Sequence, residues 1–192
     1  CHKPEYNAKE HHFHEVDTKG ANCVDCHMAG RTYMGNDFRR DHSFRIPRPD
    51  QSVAYGTPNA CNGCHADKKE SWAATKVEEW YGKKRPTHFS DYLLDGWESG
   101  NSWSLVTMAN DTSMPEIARG TAIQYLSLLD LNAVIANIKK WTASPEILIR
   151  KAAQQAIRDF PMEQRLVYAS PALKDKSRAV RLEAFTNLID VN

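Results

Sequence analysis

Hydrophobic patterning changes near residue 85. Beyond it, apolar residues recur every three to four positions over long stretches, the period of amphipathic helices. Leu93, Leu94, Trp97, Trp103, Leu105, Val106 and Met108 mark one such stretch, and their spacing predicts a helix pair within Asp91–Ala109. Before residue 85 one segment has the same period. Trp72, Ala73, Val77 and Trp80 predict a single helix, with Asp67 as N-cap and Gly82 as its stop. The rest of that half is rich in Gly, Asn, Asp and Pro, which favour turns. Thr57-Pro58-Asn59 predicts one such turn.

The helical half contains a repeat. Arg119-Gly120-Thr121-Ala122 with Leu126, Arg150-Lys151-Ala152-Ala153 with Ile157, and Arg181-Leu182-Glu183-Ala184 with Leu188 superpose at steps of 31 residues. An apolar residue (Ala118, Ile149, Val180) precedes each arginine, the alanines allow close helix approach, and Pro115 and Pro145 suit helix starts. A helix-pair repeat with an arginine-led second helix predicts a HEAT-like α-solenoid, with the Asp91–Ala109 pair capping the stack and further units beyond Asn192. The expected fold is all-α: a loop-rich segment over 1–85, then a repeat domain over 86–192. The repeat arginines are assigned no chemistry: they read as solvated, or as making ion pairs within their own units with Asp130, Asp159 or Asp190.

Composition narrows the function classes. Of 192 residues, 41% are apolar, and 25 Lys+Arg nearly balance 24 Asp+Glu. That balance argues against nucleic acid as a partner, and no apolar run has membrane-spanning length. All five cysteines and seven of the eight histidines precede residue 85, so any metal or redox chemistry belongs to the first half.

Four of those cysteines form two copies of one motif, Cys23-Val24-Asp25-Cys26-His27 and Cys61-Asn62-Gly63-Cys64-His65. Cys-x-x-Cys-His is the attachment signature of haem c. Two thiols three positions apart add to the vinyl groups of one porphyrin, and the next histidine ligates the iron from the proximal side. Cys1-His2 reads as the end of a third copy whose first cysteine lies upstream; the alternative is a lipid-modified first cysteine. Haem c is attached outside the cytoplasm, so a periplasmic or extracellular location is expected. Zinc held by four thiolates is the rival for the cysteines, but the Cys26–Cys61 gap exceeds the usual ribbon spacing and neither trailing histidine has a purpose there.

A second axial ligand is then needed on each iron. His42, lying between the motifs and before the extended stretch Ile46-Pro47-Arg48-Pro49, is the first candidate. His11-His12-Phe13-His14 supplies more. In an extended strand His12 and His14 share one face, so a turn between them is required if they serve different haems; His11 is set aside first. Met28 follows the proximal histidine too closely to cross the ring, and Met34 is a weaker candidate than histidine. His88 reads as structural. Some of Arg31, Arg39, Arg40, Arg45 and Arg48 are expected to pair with haem propionates, since a guanidinium matches a carboxylate in bidentate fashion.

With these residues in view, the chain resembles large bacterial multihaem c-type cytochromes that carry HEAT-like and tetratricopeptide repeats after the haem region. The resemblance runs through His11-His12-Phe13-His14, Cys23 to Met28, Arg31-Thr32-Tyr33-Met34-Gly35 and Arg39-Arg40-Asp41-His42-Ser43-Phe44-Arg45 with Pro47-Arg48-Pro49. It continues through Asn59-Ala60-Cys61 to Asp67, Trp72-Ala73-Ala74, Trp80-Tyr81-Gly82 and the three arginine repeats. Ala29 departs from the proline common in that place. The resemblance implies export, covalent haem c, a preceding haem site closed by Cys1-His2, and redox partner proteins or neighbouring haem domains. Electron transfer through bis-histidine haems is the expected function; a multihaem reductase or oxidase acting on a small nitrogen or sulfur compound is the alternative.

Overall fold

The structure is a computed structural model and describes residues 3–189, so Cys1, His2 and Asp190 lie outside the described residues. It is all-α apart from one short hairpin. The chain divides after Pro86 into two compact units.

The first unit is built from short elements. After a 3-10 turn at Pro4–Tyr6, α1 (Lys9–His12) ends at Phe13, and a second 3-10 turn, Lys19–Ala21, leads into α2 (Cys23–His27). β1 (Gly30–Tyr33) and β2 (Asp37–Arg40) form an antiparallel hairpin, followed by α3 (Pro49–Tyr55) and α4 (Ala60–Cys64). α5 (Glu70–Tyr81) closes the unit and packs on α3 through buried Ala73 and Val77. α5 starts later than the sequence suggests. Asp67 is no cap but pairs with Lys68, because Asn62 Nδ2 donates to the Lys68 carbonyl and Lys68 N–H to the His65 carbonyl, holding 65–68 as a turn. Gly82, at φ +83°, terminates the helix. Ala21, Ala73 and Val77 are the hydrophobic residues buried here among the described ones, while Tyr6, Phe38, Phe44 and Tyr81 stay exposed.

Among the described residues, the second unit holds seven longer helices: α6 (Phe89–Glu98), α7 (Ser102–Asn110), α8 (Glu116–Leu129), α9 (Leu131–Thr142), α10 (Ile147–Ala156), α11 (Met162–Ala172) and α12 (Arg178–Leu188). α8 packs on α7 and α10, and α10 in turn on α9 and α12, so the three arginine-bearing helices make a row. Leu105, Met108, Ile123, Leu126, Ile138, Trp141, Ile149 and Ile157 are fully buried between them. Burial of each such side chain contributes about 1.5–3 kcal/mol. Gly96 lets α6 lie against α7, since a Cβ there would sit 2.2 Å from Leu105 Cγ.

Two of the repeat arginines, Arg119 and Arg150, form ion pairs with the loop that enters the next helix pair, while Arg150 and Arg181 also bond the loop before their own helix. Arg119 Nη1 reaches the Glu146 carboxylate, and Arg150 forks onto Asp175 through Nε and Nη2. Arg181 donates to the carbonyls of Asp175 and Lys176, as Arg150 does to those of Ser144 and Pro145. The expected Asp130 instead caps α9, accepting from Ala133 N–H. The arginines sit in the first turn of α8, α10 and α12, which places their side chains beside the loop entering the next or the same unit. Side-chain amides add a second ladder, in which Gln124 donates to Gln155 and Gln155 to Glu183.

Candidate functional site

Both Cys-x-x-Cys-His motifs fold as one helical turn. Cys23 and Cys26 lie three apart on α2 with His27 as its last residue, and Cys61 and Cys64 lie three apart on α4 with His65 at its C-cap. Residues three or four apart share a helix face, so each cysteine pair and its histidine stand on one side. Asn59 nucleates the second turn by accepting from Asn62 N–H at 3.1 Å. α2 and α4 touch. Burial, and then the neighbouring Cys61, push the Cys26 thiol up; burial raises Cys61 as well. Both are held as neutral thiols, not as exposed reactive thiolates.

Across from each motif histidine stands a histidine of the 11–14 segment. The His11 and His27 rings are parallel within 12°, with centroids 6.1 Å apart; His14 and His65 are 6.2 Å apart at 33°. Nitrogen ligands sit about 2 Å from a first-row metal and the ring centre about 1 Å further on, so two imidazoles on opposite sides of one ion have centroids roughly 6 Å apart. Both pairs fit that separation. Among the described residues no three of His, Cys, Asp and Glu converge as metal ligands; a porphyrin brings four equatorial nitrogens and asks the protein for two axial ones.

The turn that separates the two pairs is at Phe13. Its φ of +55° ends α1 and sends His14 away from His11. The ring left out on sequence grounds, His11, therefore faces His27, while His12 and His42 face neither motif histidine. His12 Nδ1 accepts from His14 N–H at 3.3 Å, and its Nε2 is buried without a hydrogen-bond partner. His42 is exposed at the end of the hairpin.

Hydrogen bonds to Nδ1 orient three of these rings. His27 Nδ1–H donates to the Arg45 carbonyl at 2.7 Å, His42 Nδ1–H to the Arg40 carbonyl at 2.9 Å, and His14 Nδ1–H to the His12 carbonyl. Each bond puts the proton on Nδ1 and leaves the Nε2 lone pair for a metal. Burial, and then the facing His27, hold His11 below the ordinary imidazole value, which keeps it neutral at pH 7.

Several supporting residues have a role beside these rings that their sequence position does not signal. Phe44 stacks on His27 at 4.6 Å and 3°, and Trp72 leans on His65 at 4.9 Å. Gly20 makes room for His14, since a Cβ there would lie 2.1 Å from the imidazole Cδ2. The arginines expected to hold propionates are engaged by the protein itself. Arg40 binds Asp25 and the Val24 and Met28 carbonyls; Arg39 binds Asp37, Arg45 binds Asp41 and Arg48 binds Asp50, while Arg31 lies over Tyr33. Met34, 98% exposed at the hairpin tip, faces no motif histidine. His88 caps α6 in a capping box with Asp91. No helix among the described residues is long and apolar enough to cross a membrane. The chain matches no known family model, no curated protein and no solved structure.

Proposed function

We propose that this chain is an electron-transfer segment that carries covalent haem c on each Cys-x-x-Cys-His motif. The observation that carries the reading is the pair of facing imidazoles, His27 with His11 and His65 with His14, each at a separation suited to one iron between them. Cys23 and Cys26 hold one ring and Cys61 and Cys64 the other, through thioether bonds. Haem supplies a one-electron couple whose potential depends on axial ligands and burial.

The protein's part is to fix those ligands. Carbonyls of Arg45 and His12 hold His27 and His14 in the tautomer that presents Nε2. Two nitrogens per iron keep it low-spin, with little rearrangement between oxidation states. Filled axial positions favour electron transfer over the rival reading of a reductase, which needs an open one. The sparse apolar core of the first unit also suits a ring that supplies the missing contacts. His42, with its Nε2 lone pair outward, serves a further haem; that of Cys1 and His2 is the candidate. The helical row of the second unit is read as a HEAT-like docking platform for redox partners, and export to the periplasm or cell exterior follows from haem c attachment.

The test is to express the chain behind an export leader together with a haem c maturation system. Mass spectrometry then counts haems, and ferric absorption and EPR spectra give the spin state. Two covalent haems, both low-spin, are expected. Absence of haem, or a high-spin centre in the unmodified chain, sinks the proposal.

A further inference from the structure

The ligand set leaves an aromatic cluster unexplained. Phe13 lies in the left-handed region at φ +55°, where a side chain is unfavourable and surrounding contacts must hold it. It stacks on Trp80 at 4.6 Å and 3°, and Tyr81 meets its face edge-on at 5.8 Å. Trp80 also meets His14 edge-on at 6.2 Å and 75°, while Tyr81 meets His11 at 6.5 Å and 70°. The Tyr81 hydroxyl donates to the His11 carbonyl. Two adjacent residues at the last turn of α5 therefore touch both of the rings that face the motif histidines. Ordinary core packing explains this poorly, because Tyr81 is 51% exposed.

Resting on the haem reading above, we propose that Phe13, Trp80 and Tyr81 form a clamp that positions both distal imidazoles at once. Trp80 holds Phe13 in its left-handed conformation, and that turn alone decides that His11 and His14 go to different irons. Releasing it frees both rings together. The three aromatics touch no iron and are positioning residues.

The test uses the full chain, matured with haem, and compares Trp80→Leu, Trp80→Phe and Tyr81→Phe with His14→Ala. Haem count by mass, ferric EPR and the reduction potentials are read on each. Trp80→Leu is expected to keep both haems attached, since the cysteines are untouched, yet to lose low-spin signal at both. Trp80→Phe retains a ring for Phe13 and restores most of that signal. His14→Ala converts one haem of the two, and Tyr81→Phe disturbs chiefly the haem at Cys23 and Cys26. Two intact low-spin haems in Trp80→Leu, or loss confined to one, overturns the clamp. Should Trp80→Leu not accumulate, Tyr81→Phe decides: a spectrum and potentials unchanged from the parent chain overturn it. An unmodified chain without haem sinks the reading on which the clamp rests, a result distinct from these.

Discussion

Arg119→Ala tests the ladder that ties one helical unit to the next. The side chain is 5% exposed and its Nη1 reaches both Glu146 oxygens at 2.5 and 2.6 Å; Nε donates to the Ala109 carbonyl at 3.3 Å. Truncation leaves that carbonyl unpaired beside a fully buried Ala109, worth about 1–2 kcal/mol. Loss of the packed stem and the void behind it costs about as much again. Glu146 is 32% exposed and recovers water, so its stranding is discounted. The expected cost is about 3 kcal/mol, which lowers the melting temperature of a unit this size by at least about 12 °C. Glu146→Ala is expected to cost more, about 3–5 kcal/mol, because it leaves a buried cation without its counter-charge. The double variant should fall short of the two costs combined. Urea unfolding followed by far-UV circular dichroism reads all three, with unchanged slope and shifted midpoint. A loss below about 1 kcal/mol for Arg119→Ala refutes the ladder and leaves an ordinary surface ion pair in its place.

The proposed pairing of histidines has a direct discriminator: if each motif carries haem as proposed, His11→Ala should turn half of the haem high-spin, while His12→Ala and His42→Ala leave both haems low-spin by EPR. If His12→Ala gives the high-spin signal instead, the facing pairs are misassigned. Gly20→Ala should push His14 off its position and convert the Cys61/Cys64 haem alone, with far-UV circular dichroism unchanged; an unaltered spectrum shows that the ring tolerates the added Cβ. Hydrogen bonding from Arg150 holds the Asp175 carboxyl below its ordinary value of 3.8. A carboxyl depressed in the folded state contributes stability above the unfolded value and loses it as pH falls through the folded one. Urea midpoints of the parent chain should therefore drop progressively below about pH 4, and Asp175→Asn should be less stable at pH 7 with a flatter acid limb. A parallel acid limb in both proteins removes Arg150–Asp175 as its source.

Periodicity made the second unit legible. Arg119, Arg150 and Arg181 recur because each helix of the row meets its neighbours in the same register, and α8, α10 and α12 begin at the same 31-residue step. What periodicity did not reveal was the partners of Arg119 and Arg150, since Glu146 and Asp175 do not stand at equivalent positions of the 31-residue step. In the first unit the motif cysteines and histidines were legible from spacing alone. Which histidines face them was not, because the choice among His11, His12 and His14 depends on one backbone conformation at Phe13. Sequence shows that some turn is needed there; it does not show where an aromatic places it. Asp67 misled for a related reason: a good capping residue two positions after a motif histidine belongs to that motif's own turn. Gly20 gave no signal at all, as its role is the space that a ring occupies.

One local device turns four consecutive residues into parts of two sites. α1 presents His11 toward α2, and the single left-handed residue after His12 sends His14 toward His65 beyond α4. α2 and α4 are already in contact, and the Cys26 thiol feels Cys61 and Cys64. On the haem reading, the two rings then share a distal segment as well as adjoining attachment turns. Their separation then follows the span between His11 and His14. Two redox centres held so close interact, so the second electron enters at a different potential from the first. A potentiometric titration of the matured chain should therefore show two resolved one-electron steps. A single sharp step in the parent chain would mean that the shared segment spaces the irons without coupling them.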